Sequence, residues 1–219
     1  MDSCSDVSVV VPFRNRHRHL HTWIKEVRDK MPSDTECIVV EQVDARKFNR
    51  GLLLNVGYNE SSRSRVIFHD CDLIPDRDLL QLYSSPWPAP VVHFGHRFSR
   101  YNNSKRYFGG VTGFVRDSFP GFSNKYFGWG GEDDSLYNRC KHFHIRRPTT
   151  GSYTDLEFLP HARNKLQTLT KDTKCMDKWE LLKADDVATD NHRTIPESVS
   201  VSKTYNRAYK CVWLHVFIE

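Results

Sequence analysis

Apolar β-branched runs alternate with helix-spaced segments through the first third of the chain, and this alternation constrains the fold more than any other sequence feature. The run at 7–13 predicts a buried strand, and apolar residues at helical spacing predict an amphipathic helix over about 18–31. A second strand at 37–43, a helix around 48–56 and a third strand at 65–68 follow. The pattern predicts an α/β fold with a mostly parallel central sheet and helices on both faces.

The second half of the sequence is less regular. Its predicted strands cover 91–94, 107–114, 199–201 and 212–218, its predicted helices 132–143 and 170–186, and an exposed loop is expected at 185–198. Since no linker composition interrupts the chain, we expect a single domain over residues 1–219.

Composition limits the partners without choosing one. The 219 residues carry a net charge of +5, which favours anions such as nucleic acid, acidic membranes or phosphorylated small molecules. No apolar run approaches the ~20 residues that cross a bilayer, and the polar start is not a signal peptide, so the chain as given is expected to be cytoplasmic. The six cysteines form no C-x-x-C pair, which argues against a zinc ribbon and favours reduced thiols.

Two carboxylates follow the third predicted strand. Alternation along a strand would put Asp70 and Asp72 on one side and Cys71 on the other. Ligands bind at the carboxyl ends of the strands in open α/β sheets, and paired carboxylates there suit Mg²⁺ or Mn²⁺ beside a phosphate. The alternative is an ordinary turn that ends the strand.

A glycine-rich segment opens the helix predicted at 132–143. Trp129 lies between glycines, and Glu132, Asp133 and Asp134 follow at once. Acidic residues could simply favour the helix N-terminus. Three acidic residues after a glycine-flanked tryptophan indicate instead a mobile loop that closes over a sugar. The carboxylates could accept hydrogen bonds from the sugar hydroxyls, and one of them could act as general base.

Basic and aromatic residues follow the first two predicted strands, in Pro12–Arg16 and Phe48–Arg50. Arginine can bind diphosphate oxygens through two nitrogens, and phenylalanine can stack on a base, so a nucleotide-diphosphate site is predicted. The dinucleotide and P-loop glycine motifs are absent. A lone His161 could share Mn²⁺ with a carboxylate, whereas the histidines at 17, 19 and 21 are interpreted as part of a basic loop and helix start.

These segments together resemble the β-1,4-galactosyltransferase family of inverting enzymes, which have a GT-A fold. The shared motifs run in family order from about residue 7 to 165, and they are Val11–Arg16, Phe48–Arg50, Leu54–Gly57, His69–Leu73, Tyr107–Val111, Gly128–Asp134 and His161.

The resemblance implies a role for each matched position. The uridine and diphosphate would be held by Pro12, Phe13, Arg14, Arg16, Phe48, Arg50 and Asp70. Mn²⁺, with Mg²⁺ as the alternative, would be bound by Asp72 and His161. The donor and acceptor sugars would contact Tyr107, Gly110, Trp129, Gly131, Glu132 and Asp134. Asp133 would be the catalytic base.

The implied reaction moves galactose from UDP-galactose to a sugar hydroxyl of a glycan or glycoconjugate, with inversion and with a divalent metal. About 1–100 would bind the nucleotide and about 101–219 the acceptor. Neither a nucleic-acid partner nor a membrane segment is expected, and a trimmed catalytic domain would point to the Golgi lumen instead of the cytoplasm. Two alternatives stay open: UDP-N-acetylgalactosamine or UDP-glucose as donor, and a non-catalytic carbohydrate- or nucleic-acid-binding module.

Three positions depart from the family pattern. Ser135 replaces a further acid, Phe158 replaces a thioether metal ligand of some relatives, and Leu159 stands where another branch has a second histidine. Two protein ligands for the metal are therefore expected.

Overall fold

The computed structural model describes residues 6–101, 104–158, 169–185 and 193–219. Its strands are β1 Val7–Phe13, β2 Glu36–Gln42, β3 Arg65–His69, β4 Leu73–Pro75, β5 Val91–Val92, β6 Val111–Val115, β7 Ile145–Arg146, β8 Tyr153–Asp155, β9 Val199–Asn206 and β10 Cys211–Ile218. The α-helices in these ranges are α1 His17–Glu26, α2 Arg50–Glu60, α3 Arg77–Ser84, α4 Glu132–Cys140 and α5 Lys178–Ala184.

The main sheet has the strand order β7-β5-β6-β3-β1-β2-β10-β9 in the described part of the chain. Its centre is parallel, because β1 pairs in parallel with β2 and β3, and β2 with β10. β6 and β9 add antiparallel pairs on the two sides. A small antiparallel pair of β4 and β8 lies beside this sheet. The predicted α/β class with a mostly parallel sheet is confirmed.

Alternating side chains of β1 supply the two apolar layers of the core. Val9 and Val11 pack on the face that holds Trp23 of α1, whereas Val10 packs on the face that holds Leu53 of α2. Successive side chains of a strand point to opposite faces, so a strand covered on both faces is apolar throughout. This explains the unbroken β-branched run and confirms helices on both faces.

The second half differs from the predictions at several positions, and β7 and β8 were not predicted. The strand predicted at 107–114 begins only at Val111, because Gly110 has a φ of +75° and forms a turn with Gly109. The helix predicted at 170–186 is reduced to α5. At the start of the loop predicted to be exposed, the Asp185 side chain is buried against Arg139.

No helix in the described ranges is both long enough and apolar enough to cross a lipid bilayer.

Candidate active site

The segments that follow β1, β2 and β3 meet at one edge of the sheet. These strands are parallel neighbours, so their carboxyl ends lie side by side, as predicted. A cavity of about 530 Å³ opens at this edge. The predicted site residues that line it are Pro12, Arg14, Arg16, Phe48, Arg50, Asp70, Asp72, Tyr107, Gly110, Trp129, Gly131, Glu132, Asp133 and Asp134.

Two predicted site residues are not among those lining residues. Phe13 is 1% exposed, and its ring packs edge-on against Trp213 at a centroid distance of 5.8 Å. The Phe13 side chain therefore belongs to the core beneath the cavity. His161 lies outside the described residues.

Asp70 and Asp72 reach the cavity by a route other than the predicted one. β3 ends at His69, and a turn closed by the Leu73 N–H and the Asp70 carbonyl, 3.2 Å apart, carries both carboxylates. Alternation along a strand is therefore the wrong reason for their shared side. The Asp70 N–H donates to the Gly110 carbonyl at 3.0 Å, which fixes the turn against the glycine pair.

Arg50, the first residue of α2, joins the carboxylates of two distant segments. Its Nε donates to Asp70 Oδ1 at 2.7 Å, and its Nη1 donates to Asp133 Oδ1 at 2.9 Å. Glu132 Oε1 lies 4.0 Å from the same Nη1. The guanidinium is largely buried, and burial by itself would lower its pKa. The neighbouring Asp70, Asp133 and Glu132 outweigh burial and raise the Arg50 pKa above its ordinary value. Arg50 thus stays charged and holds the Asp133 carboxylate in place.

Burial and crowding raise the pKa values of three carboxyl groups in the cavity, Asp70, Glu132 and Asp134. Burial raises the pKa of Asp70 to about 6, with Arg50 opposing the shift and Asp72 and Asp133 adding to it. Burial likewise raises the pKa of Glu132 to about 8, assisted by Asp133 and opposed by Arg50. Glu132 Oε2 is buried and has no hydrogen-bond partner among the described residues. Such shifts are typical of functional sites.

The three acidic residues form the first turn of α4. Gly131 precedes them with a φ of +102°, a conformation that favours glycine. Negative charge is stabilised at a helix N-terminus, which offsets part of the repulsion among Glu132, Asp133 and Asp134. The helix therefore directs a carboxylate cluster into the cavity.

The Trp129 backbone is bonded to a neighbouring segment. Its N–H donates to the Thr173 carbonyl at 2.7 Å, and its carbonyl accepts from the Cys175 N–H at 3.1 Å. The Gly128 N–H donates to the Phe48 carbonyl at 2.8 Å. These bonds connect the tryptophan loop to the predicted base-binding segment. Closure of the loop over a substrate stays a prediction.

Tyr107 forms one wall of the cavity beside Gly110. A Cβ added to Gly110 would lie 2.6 Å from the Tyr107 hydroxyl and 2.8 Å from Leu73 Cδ1. The Tyr107 ring stacks on Tyr101 with centroids 3.9 Å apart and an interplanar angle of 17°. The tyrosine is therefore fixed where it limits the space above Gly110.

The Asp72 carboxylate lies beside an arginine and a second carboxylate. Its Oδ2 accepts from Arg16 Nη1 at 3.2 Å, and the same nitrogen lies 2.6 Å from Glu157 Oε1. Carboxylate oxygens are hard ligands of the type that Mn²⁺ and Mg²⁺ take. No group of three metal-binding side chains occurs among the described residues. The predicted partner His161 lies outside them.

Sequence reasoning missed several cavity residues, which are Phe98, Arg100, Tyr101, Arg106, Asp172, Thr173 and Lys178. They belong to short 3₁₀ turns and loops, or to the start of a short helix, where no period marks a face. The aromatic spacing of Phe98, Tyr101 and Tyr107 was the one available signal.

Two family models match the chain in succession. Residues 2–86 match the N-terminal region of glycosyl transferase group 7, and residues 89–164 match the N-terminal domain of galactosyltransferase. Rat beta-1,4-galactosyltransferase 6 (Rattus norvegicus) is 36% identical over 180 residues, which cover 74% of this chain and 46% of that protein. The chain thus spans about half the length of the curated relatives it matches.

Solved structures agree with the sequence relatives. The catalytic domain of Drosophila beta1,4-galactosyltransferase 7, in complex with xylobiose, gives a TM-score of 0.77 at 26% identity and covers 97% of this chain and 94% of that one. A mutant of the Drosophila enzyme, in complex with manganese, UDP-Gal and xylobiose, has the same fold with a TM-score of 0.76 at 24% identity, over 97% of this chain and 94% of that one. The protein has a GT-A fold, and it belongs to the β-1,4-galactosyltransferase family.

Proposed function

We propose that this protein transfers galactose from UDP-galactose to a sugar hydroxyl of a glycan or glycoconjugate, with inversion and with a divalent metal. The observation that carries the proposal is one cavity in which Arg50 links Asp70, at the predicted nucleotide side, to Asp133, at the predicted acceptor side. Residues from about 1–100 and from about 101–219 both line this cavity, which supports one catalytic domain with a nucleotide half and an acceptor half.

The nucleotide would lie along the segments that follow β1 and β2. Phe48 offers a ring for the uracil, and Arg14 lies over that ring with its guanidinium carbon 5.3 Å from the centroid. Arg14, Arg16 and Arg50 supply positive charge for the diphosphate. Pro12 lines the same wall, and Phe13 supports it from the core.

Asp72 and His161 would hold Mn²⁺, with Mg²⁺ as the alternative. A bound divalent ion supplies Lewis-acid neutralisation of charge on the leaving diphosphate. The manganese bound together with UDP-Gal by the Drosophila enzyme supports Mn²⁺ as the metal.

The reaction would be a single in-line displacement at the anomeric carbon. Asp133 accepts the proton of the attacking hydroxyl, and Arg50 orients its carboxylate through the 2.9 Å bond. Glu132 and Asp134 bind sugar hydroxyls from the same helical turn, together with the Gly131 backbone. Trp129 covers the donor and excludes water, which would otherwise hydrolyse it. Tyr107 and Gly110 set the space for the donor sugar.

The test is release of UDP from UDP-galactose, UDP-N-acetylgalactosamine and UDP-glucose, with and without Mn²⁺, against an acceptor array that includes xylosides. We expect UDP-galactose to be preferred and the reaction to require both metal and acceptor. Preference for another donor would replace galactose by that sugar in the proposed reaction. No turnover with any donor, together with salt-dependent binding to DNA or RNA, would instead favour a binding module.

Asp133→Asn separates catalysis from nucleotide binding. We expect it to lower kcat by about 10²–10⁴-fold, the usual contribution of a general base. UDP affinity measured by calorimetry should stay close to that of the wild type. An equal loss of UDP affinity would contradict the role of Asp133 as base.

A further inference from the structure

His93 is a buried histidine that neither the motifs nor the proposed mechanism uses. It follows β5 directly, is 0% exposed, and its backbone N–H donates to the Arg146 carbonyl at 2.9 Å. Its ring lies edge-on to Tyr107 at 5.5 Å and tilted against Phe108 at 5.1 Å. The side chain thus packs directly behind the wall that faces the donor sugar.

One hydrogen bond determines the tautomer of this ring. His93 Nε2 is 3.1 Å from the Gly109 carbonyl oxygen, which can only accept, so Nε2 carries the proton. His93 Nδ1 is buried and has no partner among the described residues. Burial lowers the pKa of His93 to about 3, with the Gly109 bond opposing the shift, so the ring is neutral at physiological pH.

Packing alone does not account for a histidine at this position. A buried nitrogen without a partner costs free energy, and an aromatic ring of similar shape without nitrogens would avoid that cost. The feature that a phenylalanine could not reproduce is the Nε2–H bond to Gly109.

The carbonyl that receives this bond belongs to the turn that contacts three site groups. A Cβ on Gly109 would overlap Asp133 Oδ2, so the turn backbone lies directly against that carboxylate. The Gly110 carbonyl accepts from the Asp70 N–H, and Gly110 lies beside the Tyr107 hydroxyl. A small rotation of this turn would therefore displace the proposed base, the donor wall and the nucleotide carboxylate together.

We propose that His93 is a positioning residue for the transfer reaction, which fixes the Gly109–Gly110 turn through its Nε2–H and thereby sets the placement of Asp133, Tyr107 and Asp70. The inference rests on the proposed function and extends it to a residue that touches no substrate. Its chemistry is one donated hydrogen bond.

Three variants test the inference. His93→Phe keeps the ring and removes the donor, His93→Gln keeps an N–H donor at a similar reach, and His96→Gln changes a neighbouring histidine whose ring is 6.3 Å away. We expect His93→Phe to lower kcat about 10- to 100-fold with little change in donor KM, as a displaced reacting geometry does. His93→Gln should recover most of the lost kcat, and His96→Gln should match the wild type.

A measurement without turnover separates this inference from the proposed function. In spectra of glycine- and histidine-labelled protein, we expect the wild-type His93 ring as the Nε2–H tautomer. The Gly109 and Gly110 amide resonances should move in His93→Phe and return in His93→Gln. A wild type inactive with every UDP-sugar would contradict the proposed function, and these spectra would still decide the role of His93. An Nδ1–H tautomer in the wild type, or His93→Phe with wild-type kcat and unmoved glycine resonances, would overturn it.

Discussion

Among single residues, Arg50 and Glu132 determine much of the charge balance in the cavity. Arg50 pairs with Asp70 and Asp133, whereas Glu132 lies 4.0 Å from the same guanidinium and keeps one oxygen without a partner in the described structure. Removing the arginine would leave buried carboxylates uncompensated, which typically costs about 3–5 kcal/mol. The unequal pairing explains why Glu132 is the acid that holds its proton.

The raised pKa of Glu132 predicts a pH dependence of stability. The folded state binds a proton that the unfolded state loses near the ordinary value of 4.5, so unfolding becomes easier as pH rises from about 4.5 to about 8. Glu132→Gln removes this effect. As pH rises through that window, the free energy of unfolding of the variant should increase relative to that of the wild type by up to about 1.4 kcal/mol per pH unit.

Urea titrations at pH 5, 6, 7 and 8 provide the check for Glu132. Glu180→Gln on the exposed side of α5 is the matched control, and its curve should run parallel to that of the wild type. A constant difference between Glu132→Gln and the wild type at all four pH values would contradict the raised pKa.

Tyr107 makes a prediction about donor choice at the same scale. Tyr107→Leu removes the hydroxyl that limits the space above Gly110, so UDP-N-acetylgalactosamine should gain on UDP-galactose in kcat/KM by about 10-fold or more, as pocket contacts of this size allow. Competition assays with both donors measure the ratio. Tyr101→Leu loses the same 3.9 Å stack, which holds the Tyr107 ring, but keeps the Tyr107 hydroxyl, so its donor ratio should change less than that of Tyr107→Leu.

Among the elements, the turn between Tyr107 and β6 constrains the site most tightly. Gly110→Ala places a Cβ 2.6 Å from the Tyr107 hydroxyl at a φ of +75°, a conformation that costs an L-residue about 1–3 kcal/mol. We expect lower thermal stability and weaker UDP binding, because the Asp70 backbone N–H donates to the Gly110 carbonyl.

Gly130→Ala separates the two contributions in the Gly110 variant. Gly130 also has a positive φ, of +104°, but a Cβ there would meet its nearest atom, Lys178 Cδ, only at 3.7 Å. It should therefore lose stability from backbone strain and retain UDP affinity. Thermal melts and UDP titrations of both variants distinguish the outcomes, and equal UDP affinities would contradict the expected effect of Gly110 on nucleotide binding through Asp70.

The element α2 shows how packing overrides local preference. Gly51 and Gly57 lower the intrinsic helix propensity of this segment, yet the helix forms. A Cβ on Gly57 would overlap Val10, so the glycine lets the helix pack closely on β1. The helix begins at Arg50, with the Asn49 side chain accepting from the Leu52 N–H at 3.0 Å. Close packing of α2 on the sheet therefore places Arg50 in the cavity.

For the whole molecule, the cavity predicts that ligands stabilise the fold. Because residues of both sequence halves line it, UDP with Mn²⁺ at about 100 times Kd should add about 2.7 kcal/mol and raise Tm by roughly 5–10 °C. Asp72→Asn should abolish the part of the shift that needs Mn²⁺ and leave the part due to UDP alone. Differential scanning fluorimetry with UDP, Mn²⁺ and both measures each part. A metal-dependent shift that survives in Asp72→Asn would contradict the assigned ligand.

Local patterns predicted the α/β class and the edge of the sheet at which the cavity opens, and the family resemblance named most of the predicted residues that line it. Period and β-branched content indicated β1, α1, β2 and β3, because burial on one or two faces leaves a direct mark on neighbouring residues. Parallel neighbours end at one edge, so the segments after them were correctly expected to meet. Ordered motifs then identified the family.

Contacts between residues far apart in sequence were beyond such patterns. The bonds of Arg50 to Asp70 and Asp133 span 20 and 83 positions, and no local period encodes them. Phe13 was predicted to contact the nucleotide, but its ring packs against Trp213 and belongs to the core. The burial of His93 behind Gly109 and the raised pKa of Glu132 likewise depend on which segments pack around each side chain. That packing exists only after the sheet and its loops have assembled.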